Sequence, residues 1–239
     1  PPFTGITSPV RLSFLTGVKE AKGLTLRIVK SPVKDKLETL YKLLGELKGE
    51  SALVFCNQRE SVERVSNYLT EMGVDNEYFH GGMEQPERER ALSLFRNGSA
   101  SVFISTDLAS RGLDIPEVKN VIHYHLPINE EAFIHRNGRT ARMNAEGNAF
   151  MILNEIETVP EYITREPDEF FLPEKAKKPL RSEWVTLTIN RGKRDKLSKK
   201  DVVGFLFQKG GLDKDDLGVV EIKESCAYAA VKRDKKEGL

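Results

Sequence analysis

Short apolar runs alternate with amphipathic stretches from residue 52 to residue 153, and this rhythm predicts buried strands separated by helices. Residues 52–56 are apolar throughout, which is typical of a parallel strand buried on both faces. Further strands are predicted at residues 25–29, 77–79, 102–104, 121–124 and 149–153. Helices are predicted at residues 37–47, at residues 60–72 before Gly73, and between Pro86 and Gly98. The alternation indicates an α/β fold, a parallel sheet with helices on both faces.

A second, smaller pattern follows a stretch that contains several prolines and lysines, residues 160–179. Residues 185–189 alternate as a strand, and Ser198 with Asp201 resembles a capping box before a helix that contains Val202 and Phe205. Residues 219–222 and 226–231 predict two more strands. This β-α-β-β order is the first part of a ferredoxin-like unit, so we expect a small α+β module that is truncated before its second helix and fourth strand.

These patterns divide the chain into four parts. Residues 1–32 would hold an interdomain linker and the first strand, and residues 33–160 the α/β domain. Residues 161–180 would form a second linker, and residues 181–239 the partial module.

Charge is unevenly distributed along the chain, although the net charge is only +1. Residues 173–239 carry 17 Lys and Arg against 11 Asp and Glu, whereas the preceding residues carry 20 against 25. A basic tail on an acidic body indicates a polyanionic partner. The two cysteines, Cys56 and Cys226, are interpreted as reduced core thiols. No run reaches transmembrane length and no signal peptide opens the chain, so we expect a cytoplasmic protein without a membrane partner.

Two runs in the α/β part carry candidate nucleotide chemistry. The run HRNGRTAR places His135, Arg139 and Arg142 at spacings of four and three, which predicts one shared helix face. Planar arginine forks match phosphate oxygens, so a triphosphate is the natural ligand. The run STDLASRGLDIP ends near Asp114, whose carboxylate could accept from a ribose hydroxyl. The competing interpretations are surface salt bridges for the arginines and a turn carboxylate for Asp114.

The part of a nucleotide site that cradles phosphate is missing from the sequence. Neither G-x-x-x-x-G-K-[ST] nor G-x-G-x-x-G occurs anywhere in the chain. The two runs can therefore only complete a site whose floor lies on another domain.

Five motifs in order resemble the second RecA-like domain of DEAD-box RNA helicases, over residues 25–160. They are LVFCN at 53–57, HGG at 80–82, QPER at 85–88, the run at 106–115 and the run at 135–142. Residues 180–239 resemble the RNA-binding tail of the DbpA-like subgroup, through TINRGK at 188–193 and DVVGF at 201–205. The module would then be a partial RNA-recognition-type domain.

The resemblance implies roles for individual residues. Arg139 and Arg142 would contact the γ-phosphate of ATP, with Arg142 as the arginine finger, and Asp114 would bind the ribose. His135 would couple this domain to the first RecA-like domain, which would hold most of the ATP and Mg²⁺. The residues expected along the RNA backbone are Gly81, Gln85, Arg88 and Thr106. Asn137 departs from the family pattern, which usually has an apolar residue there.

RNA binding by the tail is assigned to a basic loop rather than to the sheet. The positions that would stack bases hold Ser225 and Ala227, and Tyr228 is out of register and fits a core residue better. The remaining candidates are exposed cations, namely Lys193, Arg194, Lys196, Lys199 and Lys200. The alternative is a charged loop that is only solvated.

The combined expectation is the C-terminal part of a monomeric ATP-dependent RNA helicase that acts on structured RNA, in particular ribosomal RNA. The chain alone is expected to be inactive because the phosphate-binding loop and the Asp-Glu-Ala-Asp run are absent. Two alternatives remain open at this stage. One is a non-catalytic RNA-binding protein that uses a RecA-like scaffold, and the other is a helicase-type motor of a different family that acts on DNA.

Overall fold

The computed structural model describes residues 23–110, 114–140 and 146–238. Seven strands form one parallel sheet in the order β3-β4-β2-β5-β6-β1-β7. They are β1 Leu24–Lys30, β2 Ala52–Cys56, β3 Asn76–Phe79, β4 Val102–Thr106, β5 Asn120–His123, β6 Gly147–Leu153 and β7 Asp168–Glu169. The helices among them are α1 Leu37–Glu46, α2 Arg59–Glu71, α3 Gln85–Arg96, α4 Asp107–Ser110 and α5 Glu130–Asn137.

Side chains of the central strands alternate between two apolar cores, so helices cover both faces of the sheet. Val54 of β2 packs with α1 and α2, and Phe55, its neighbour, packs with α3. The polypeptide leaves α2 and α3 through Gly73 and Gly98, whose φ angles of 74° and 79° lie in the left-handed region that glycine adopts without strain. The predicted α/β fold is confirmed, with element bounds within a few residues of those expected. None of the described helices is long and apolar enough to cross a bilayer.

The helix predicted to carry His135, Arg139 and Arg142 on one face is shorter than the spacing suggested. α5 ends at Asn137, and the prediction is wrong for Arg139, which lies beyond the helix. The reason is that the chain bonds to the segment before β5 instead of continuing the helix: Val118 N–H donates to Arg139 O at 3.0 Å, and Thr140 Oγ1 donates to Val118 O at 2.6 Å. Arg142 lies outside the described residues, as does the segment from residue 111 to residue 113.

Part of the segment interpreted as a linker, residues 161–180, belongs to the sheet. β7 pairs with β1, and Phe170 N–H donates to Ile28 O at 2.8 Å. Phe170 and Leu172 also pack against the core under α1. The segment therefore follows the sheet edge instead of crossing open solvent.

The C-terminal module is an antiparallel sheet with one helix on one of its faces. It consists of β8 Trp184–Ile189, α6 Lys199–Gln208, β9 Leu217–Ile222 and β10 Ala227–Lys232, with strand order β8-β10-β9. The capping box at the start of α6 is confirmed, because Ser198 N–H donates to Asp201 Oδ2 at 2.9 Å and Asp201 N–H to Ser198 Oγ at 3.3 Å. The third strand of the module, β10, lies between the first two, β8 and β9. The first three strands of a ferredoxin-like unit have the same order.

Two helical glycines test whether the 161–180 segment is packed against the domain. A Cβ at Gly45 in α1 would lie 2.2 Å from the backbone oxygen of Lys177, whereas a Cβ at Gly204 in α6 would meet nothing within 4 Å. We expect Gly45→Ala to lower the free energy of unfolding by about 1–3 kcal/mol through overpacking. Gly204→Ala should raise that of the module by about 1 kcal/mol, since alanine favours the helix. Urea unfolding followed by circular dichroism measures both, and a stabilising Gly45→Ala would show that the segment does not pack there.

Candidate functional site

Polar residues gather where three neighbouring strands end. Asn57 follows β2, Asp107 follows β4, and His125 lies two residues beyond β5. The order β4-β2-β5 makes these strands neighbours, and parallel strands end at the same edge of a sheet. α5 lies over this edge, so its inward side chains meet all three strand ends.

Arg136 of α5 is the centre of this cluster and is only 1% exposed. Its Nε and Nη2 donate to the two carboxylate oxygens of Asp107 at 2.6 and 2.7 Å. Nη1 donates to His125 O at 2.6 Å, and Nη2 also to Asn57 Oδ1 at 2.9 Å. The guanidinium lies 5.0 Å from the centre of the Phe55 ring. One side chain therefore ties α5 to the ends of β2, β4 and β5.

The sequence analysis did not single out Arg136 or Asp107. A signal was present, because Arg136 stands three and four residues after Phe133 and Ala132, which are both buried. A charged residue on the apolar face of a helix needs a buried partner, since an unpaired charge is very costly there. Asp107, in the run STD, was the nearest acidic candidate after a predicted strand.

His123, at the end of β5, is a buried residue held by contacts within the fold. His123 is fully buried, and its Nε2 lies 3.0 Å from Asn137 Oδ1. Burial lowers the pKa of His123 to about 3, and the positive charge of Arg136 acts in the same direction, so the ring stays neutral. Asn137, the departure from the family pattern, therefore serves as the partner of a buried imidazole. Among the described residues there is no group of three side chains suited to a metal ion.

The structure places Arg139 and Asp114 on either side of the same segment. Arg139 Nη2 donates to Ser110 O at 2.9 Å, at the end of α4. Asp114 stands on the far side of residues 111–113, and its carboxylate side chain is 97% exposed. Arg96 holds its backbone, with Nη2 donating to Asp114 O at 2.6 Å and to Asp114 Oδ2 at 3.2 Å. Arg139 therefore contacts the residue before positions 111–113, and the exposed carboxylate of Asp114 belongs to the residue after them.

His135 lies on the outer side of α5, where a second domain could reach it. Its side chain is 49% exposed, and Nδ1 is 3.8 Å from Glu131 Oε1. No described residue buries it, which is compatible with the expected coupling role but does not test it.

The expected RNA residues of this domain come together at the ends of β3 and β4. Arg88 Nη2 donates to Gly81 O at 2.7 Å and its Nε to Met83 O at 2.9 Å, so this side chain fixes the loop after β3. Gln85 opens α3 in the following turn, and Thr106 ends β4, the neighbour of β3. Four candidates separated in sequence therefore share one edge.

Within this loop, His80 and Gly81 differ in what holds them. His80 is buried, accepts from Gly82 N–H at 3.1 Å through Nδ1, and has Nε2 2.9 Å from Glu63 Oε1. It is a buried turn residue whose Nδ1 holds the loop, while Nε2 faces Glu63 without a hydrogen bond of good geometry. A Cβ at Gly81 would meet nothing within 4 Å, so folding does not demand a glycine there. A glycine in open space leaves room for a ligand to approach the main chain closely.

The basic loop of the module is rigidly attached and its cations face solvent. Lys193 N–H donates to Lys223 O at 2.9 Å and Arg194 N–H to Glu224 O at 3.0 Å. Lys196 has a φ of 60°, a left-handed conformation that is uncommon for lysine. All five predicted cations are exposed: Lys193, Arg194, Lys196, Lys199 and Lys200. Of these only Lys193 has an ion pair among the described residues, with Nζ 3.6 Å from Glu224 Oε1.

Two aromatic side chains are exposed on the helix of the module, whereas base-stacking aromatics were considered only on its sheet. Phe205 and Phe207 of α6 are 63% and 36% exposed, although Phe205 was one of the apolar positions from which the helix was predicted. Tyr228 is buried as expected, but its neighbours Ala227 and Ala229, and not Tyr228 itself, face the core beneath α6. The module therefore has exposed aromatics on its helix and a buried one on its sheet.

Comparison with known proteins matches both parts of the chain. Residues 35–144 match the helicase conserved C-terminal domain, and residues 186–239 match the DbpA RNA binding domain. Together with the site geometry, these matches define a helicase C-terminal domain joined to an RNA-binding domain.

Individual relatives point to the same group. The ATP-dependent RNA helicase DbpA of Escherichia coli is 34% identical over 84% of this chain and 45% of its own length, and that of Bacillus subtilis is 28% identical over 90% and 52%. The ATP-dependent rRNA helicase RRP3 of Yarrowia lipolytica is 36% identical over 63% of this chain and 31% of its own length. The chain spans about half the length of the DbpA relatives it matches.

Solved structures share the fold of the α/β domain. The E. coli DEAD-box protein SrmB, in complex with regulator of ribonuclease activity A, superimposes with a TM-score of 0.57 at 30% identity, over 67% of this chain and 97% of that one. A DEAD box protein of Methanococcus jannaschii gives 0.53 at 33% identity, over 57% and 38%. The chain therefore belongs to the DEAD-box RNA helicases, and it corresponds to the C-terminal half of their DbpA-like members.

The buried Arg136–Asp107 pair should dominate the stability of this edge. Arg136→Gln leaves Asp107 without its partner, and we expect the free energy of unfolding to fall by about 3–5 kcal/mol. Arg59→Gln is the matched control, because Arg59 and Glu60 form an ion pair in which both side chains are 67% exposed. It should change stability little. Equal effects of the two substitutions in urea unfolding would contradict the role given to Arg136.

Proposed function

We propose that this chain supplies the second RecA-like domain and the RNA-anchoring module of an ATP-dependent RNA helicase that acts on ribosomal RNA. The first RecA-like domain would provide the phosphate-binding loop and most of the contacts to ATP and Mg²⁺. This chain would contribute Arg139 and Arg142 to the γ-phosphate, Asp114 to the ribose and His135 to the contact between domains.

One observation carries the proposal, the half-site at the carboxyl edge of the sheet. Arg139 is anchored to Ser110 O at one end of the 111–113 segment, and Asp114 presents an open carboxylate at the other. The sequence has no phosphate-binding loop to complete this site within the chain. Such a half-site becomes useful when a second domain brings the phosphates to it.

The chemistry expected of these residues is electrostatic. Phosphoryl transfer is accelerated mainly by positioning and by positive charge around the transferred group, which bound Mg²⁺ would also supply. The Arg136–Asp107 pair contributes indirectly, because it fixes α4 and so the carbonyl that holds Arg139. Closure of the two domains would bring the arginines to the γ-phosphate.

Two surfaces would bind RNA. Gly81, Gln85, Arg88 and Thr106 lie at the ends of β3 and β4, where open main chain suits a sugar-phosphate backbone. The basic loop of the module would hold a second RNA segment through its phosphates. The Y. lipolytica relative is named an rRNA helicase, which motivates the choice of ribosomal RNA, and the matched RNA-binding domain supports RNA as the substrate class.

The ATPase role can be tested with the 239-residue chain and with the intact enzyme that contains it. We expect no ATP turnover by the chain alone. In the intact enzyme, Arg139→Ala and Arg142→Ala should each slow RNA-stimulated turnover, Arg142→Ala by ~10³-fold or more, the scale of arginine fingers. Arg142→Lys should not restore it, because a point charge cannot reproduce the planar fork.

Arg165→Ala is the matched control for these variants. Arg165 also donates to a backbone carbonyl, Leu24 O at 2.9 Å, but Leu24 begins β1 at the opposite edge of the sheet. Its substitution should leave turnover unchanged. Steady turnover by the chain alone would refute the two-domain site. Absence of RNA-stimulated turnover in the intact protein would favour the alternative, a non-catalytic RNA-binding protein.

Lys196 allows the phosphate role of the basic loop to be tested without structural damage. Glycine adopts its left-handed φ without strain, so Lys196→Gly removes a charge and keeps the loop. We expect weaker binding of labelled hairpin RNA and a salt dependence shallower by about 0.7 in log Kd against log salt, the loss of one phosphate contact. Lys48→Gly is the control, because Lys48 has a φ of 53° in the turn after α1. Identical slopes for both variants would mean that the loop is only solvated.

A further inference from the structure

The sheet of the C-terminal module has one face that its own helix does not cover. Along β10, Ala227, Ala229 and Val231 point into the core beneath α6, so Tyr228 and Ala230 point to the opposite face. These two residues are nevertheless only 5% and 0% exposed. Another part of the chain must therefore cover this face.

The cover is the carboxyl half of α3 and the turn that follows it in the RecA-like domain. Ser93 Oγ donates to Glu221 Oε2 at 2.8 Å, and Asn97 Nδ2 donates to Thr186 Oγ1 at 2.8 Å. Thr186 Oγ1 in turn donates to Ser99 Oγ at 2.8 Å. The three α3-side residues, Ser93, Asn97 and Ser99, are all buried. Buried polar groups that find partners across a boundary mark a specific contact.

A second set of contacts secures the edge of the same interface. Arg233 Nη2 donates to Asp75 Oδ2 at 2.6 Å, and Ser182 N–H donates to the same oxygen at 3.1 Å. Ser182 Oγ also donates to Gly98 O, the carbonyl of the turn after α3. Residues on both flanks of the module, 182 and 233, therefore converge on one carboxylate of the RecA-like domain.

The chemistry of this face suits a protein partner better than RNA. Its only aromatic at the strand centre, Tyr228, is buried, and bases need open aromatic planes on which to stack. Glu221 places a carboxylate on the face, where it would repel phosphate. The hydroxyls of Ser93, Ser99 and Thr186 already form hydrogen bonds across this contact, so they do not need RNA as a hydrogen-bond partner.

The basic loop borders this contact but keeps its cations outside it. The loop follows Ile189, the end of β8 remote from Trp184, and it is held by Lys223 O, two residues after the docked Glu221. All five of its candidate cations are exposed, whereas Glu221 and Thr186 are engaged with α3 and the following turn. RNA held by these cations would therefore not need the face that α3 covers.

We propose that the open sheet face of the module is a docking face for α3, and that RNA is bound by the basic loop of the module while the module stays docked. The second half of this statement rests on the proposed RNA binding by the basic loop. α3 would then act as a fixed spacer: its first turn carries Gln85 and Arg88 at the RNA edge, and its last turn holds the module. Twelve helical residues set this spacing at about 18 Å.

A reversible disulfide across the interface tests the proposal. Ser99 Oγ and Thr186 Oγ1 are 2.8 Å apart, so cysteines at these positions bring two sulfurs within bonding range. The double variant Ser99→Cys with Thr186→Cys is made in a Cys226→Ser background, because Cys226 is a partly exposed thiol. The control pairs Ser99→Cys with Thr188→Cys, two residues further along β8 and about 7 Å away.

We expect the Ser99–Thr186 pair to oxidise nearly completely in the folded chain and the control pair not to. Oxidised and reduced forms should bind labelled hairpin RNA with dissociation constants within about twofold, a difference under ~0.4 kcal/mol. Failure of the disulfide to form in a folded chain would overturn the docking. RNA binding that is lost on oxidation and restored on reduction would show that the sheet face binds RNA.

The unmodified chain gives an independent measurement. Trp184, the single tryptophan, lines the groove between the two domains, with Lys232 Nζ 4.7 Å from its ring centre. Its emission maximum should not move when hairpin RNA saturates the chain, whereas a red shift would mean that RNA displaces the module. If neither redox form binds RNA, the proposed RNA role fails, and disulfide formation still reports separately on the docking.

Discussion

A single buried guanidinium organises the functional edge of this protein. Arg136 is enclosed between α5 and the ends of three strands, and each of its nitrogens is hydrogen-bonded there. A charge in such a place is tolerated only with a close counter-charge, so Asp107 has to follow β4 directly. That requirement positions the four-residue helix α4, whose last carbonyl holds Arg139. His123 stays neutral mainly because it is buried, and the charge of Arg136 lowers its pKa further.

Most of the fold could be predicted from the sequence because its elements are marked locally. Apolar runs such as residues 52–56 define buried strands, and Gly73 and Gly98 stop helices where a left-handed φ is needed. The end of α5 was not predictable in this way. Arg139 leaves the helix because its backbone bonds to Val118, a contact that periodicity within residues 130–142 cannot reveal. Arg136 was not predicted as a key residue because its partners lie at the ends of three strands that only the folded sheet brings together.

The roles of the candidate site residues stay predictions, and the structure shows only where the described ones lie. Arg139 contacts Ser110, and Asp114 follows residues 111–113 with an exposed carboxylate, but Arg139 lies beyond α5 and does not share a helix face with His135. The basic loop of the module is exposed as expected, whereas Phe205 was expected among the apolar positions of α6 and faces solvent. In the module, Tyr228 was expected out of register with the stacking positions and in the core; it is buried, but the register was wrong, because Ala227 faces the core under α6 and Tyr228 the opposite face. What Tyr228 points toward, a different domain, lies beyond any pattern within residues 181–239.

β7 is the outermost strand at one edge of the large sheet, and the nature of this edge bears on solubility. An outer strand with free N–H and C=O groups is a template on which another chain can pair. Here the outermost strand is only two residues long, both of them acidic and exposed, and Lys30 Nζ reaches across to Glu169 at 2.9 Å. An edge strand this short and this charged offers neither the length nor the apolar surface that another chain needs to pair with it. At this edge the sheet can therefore have a strongly apolar interior without offering a template for aggregation.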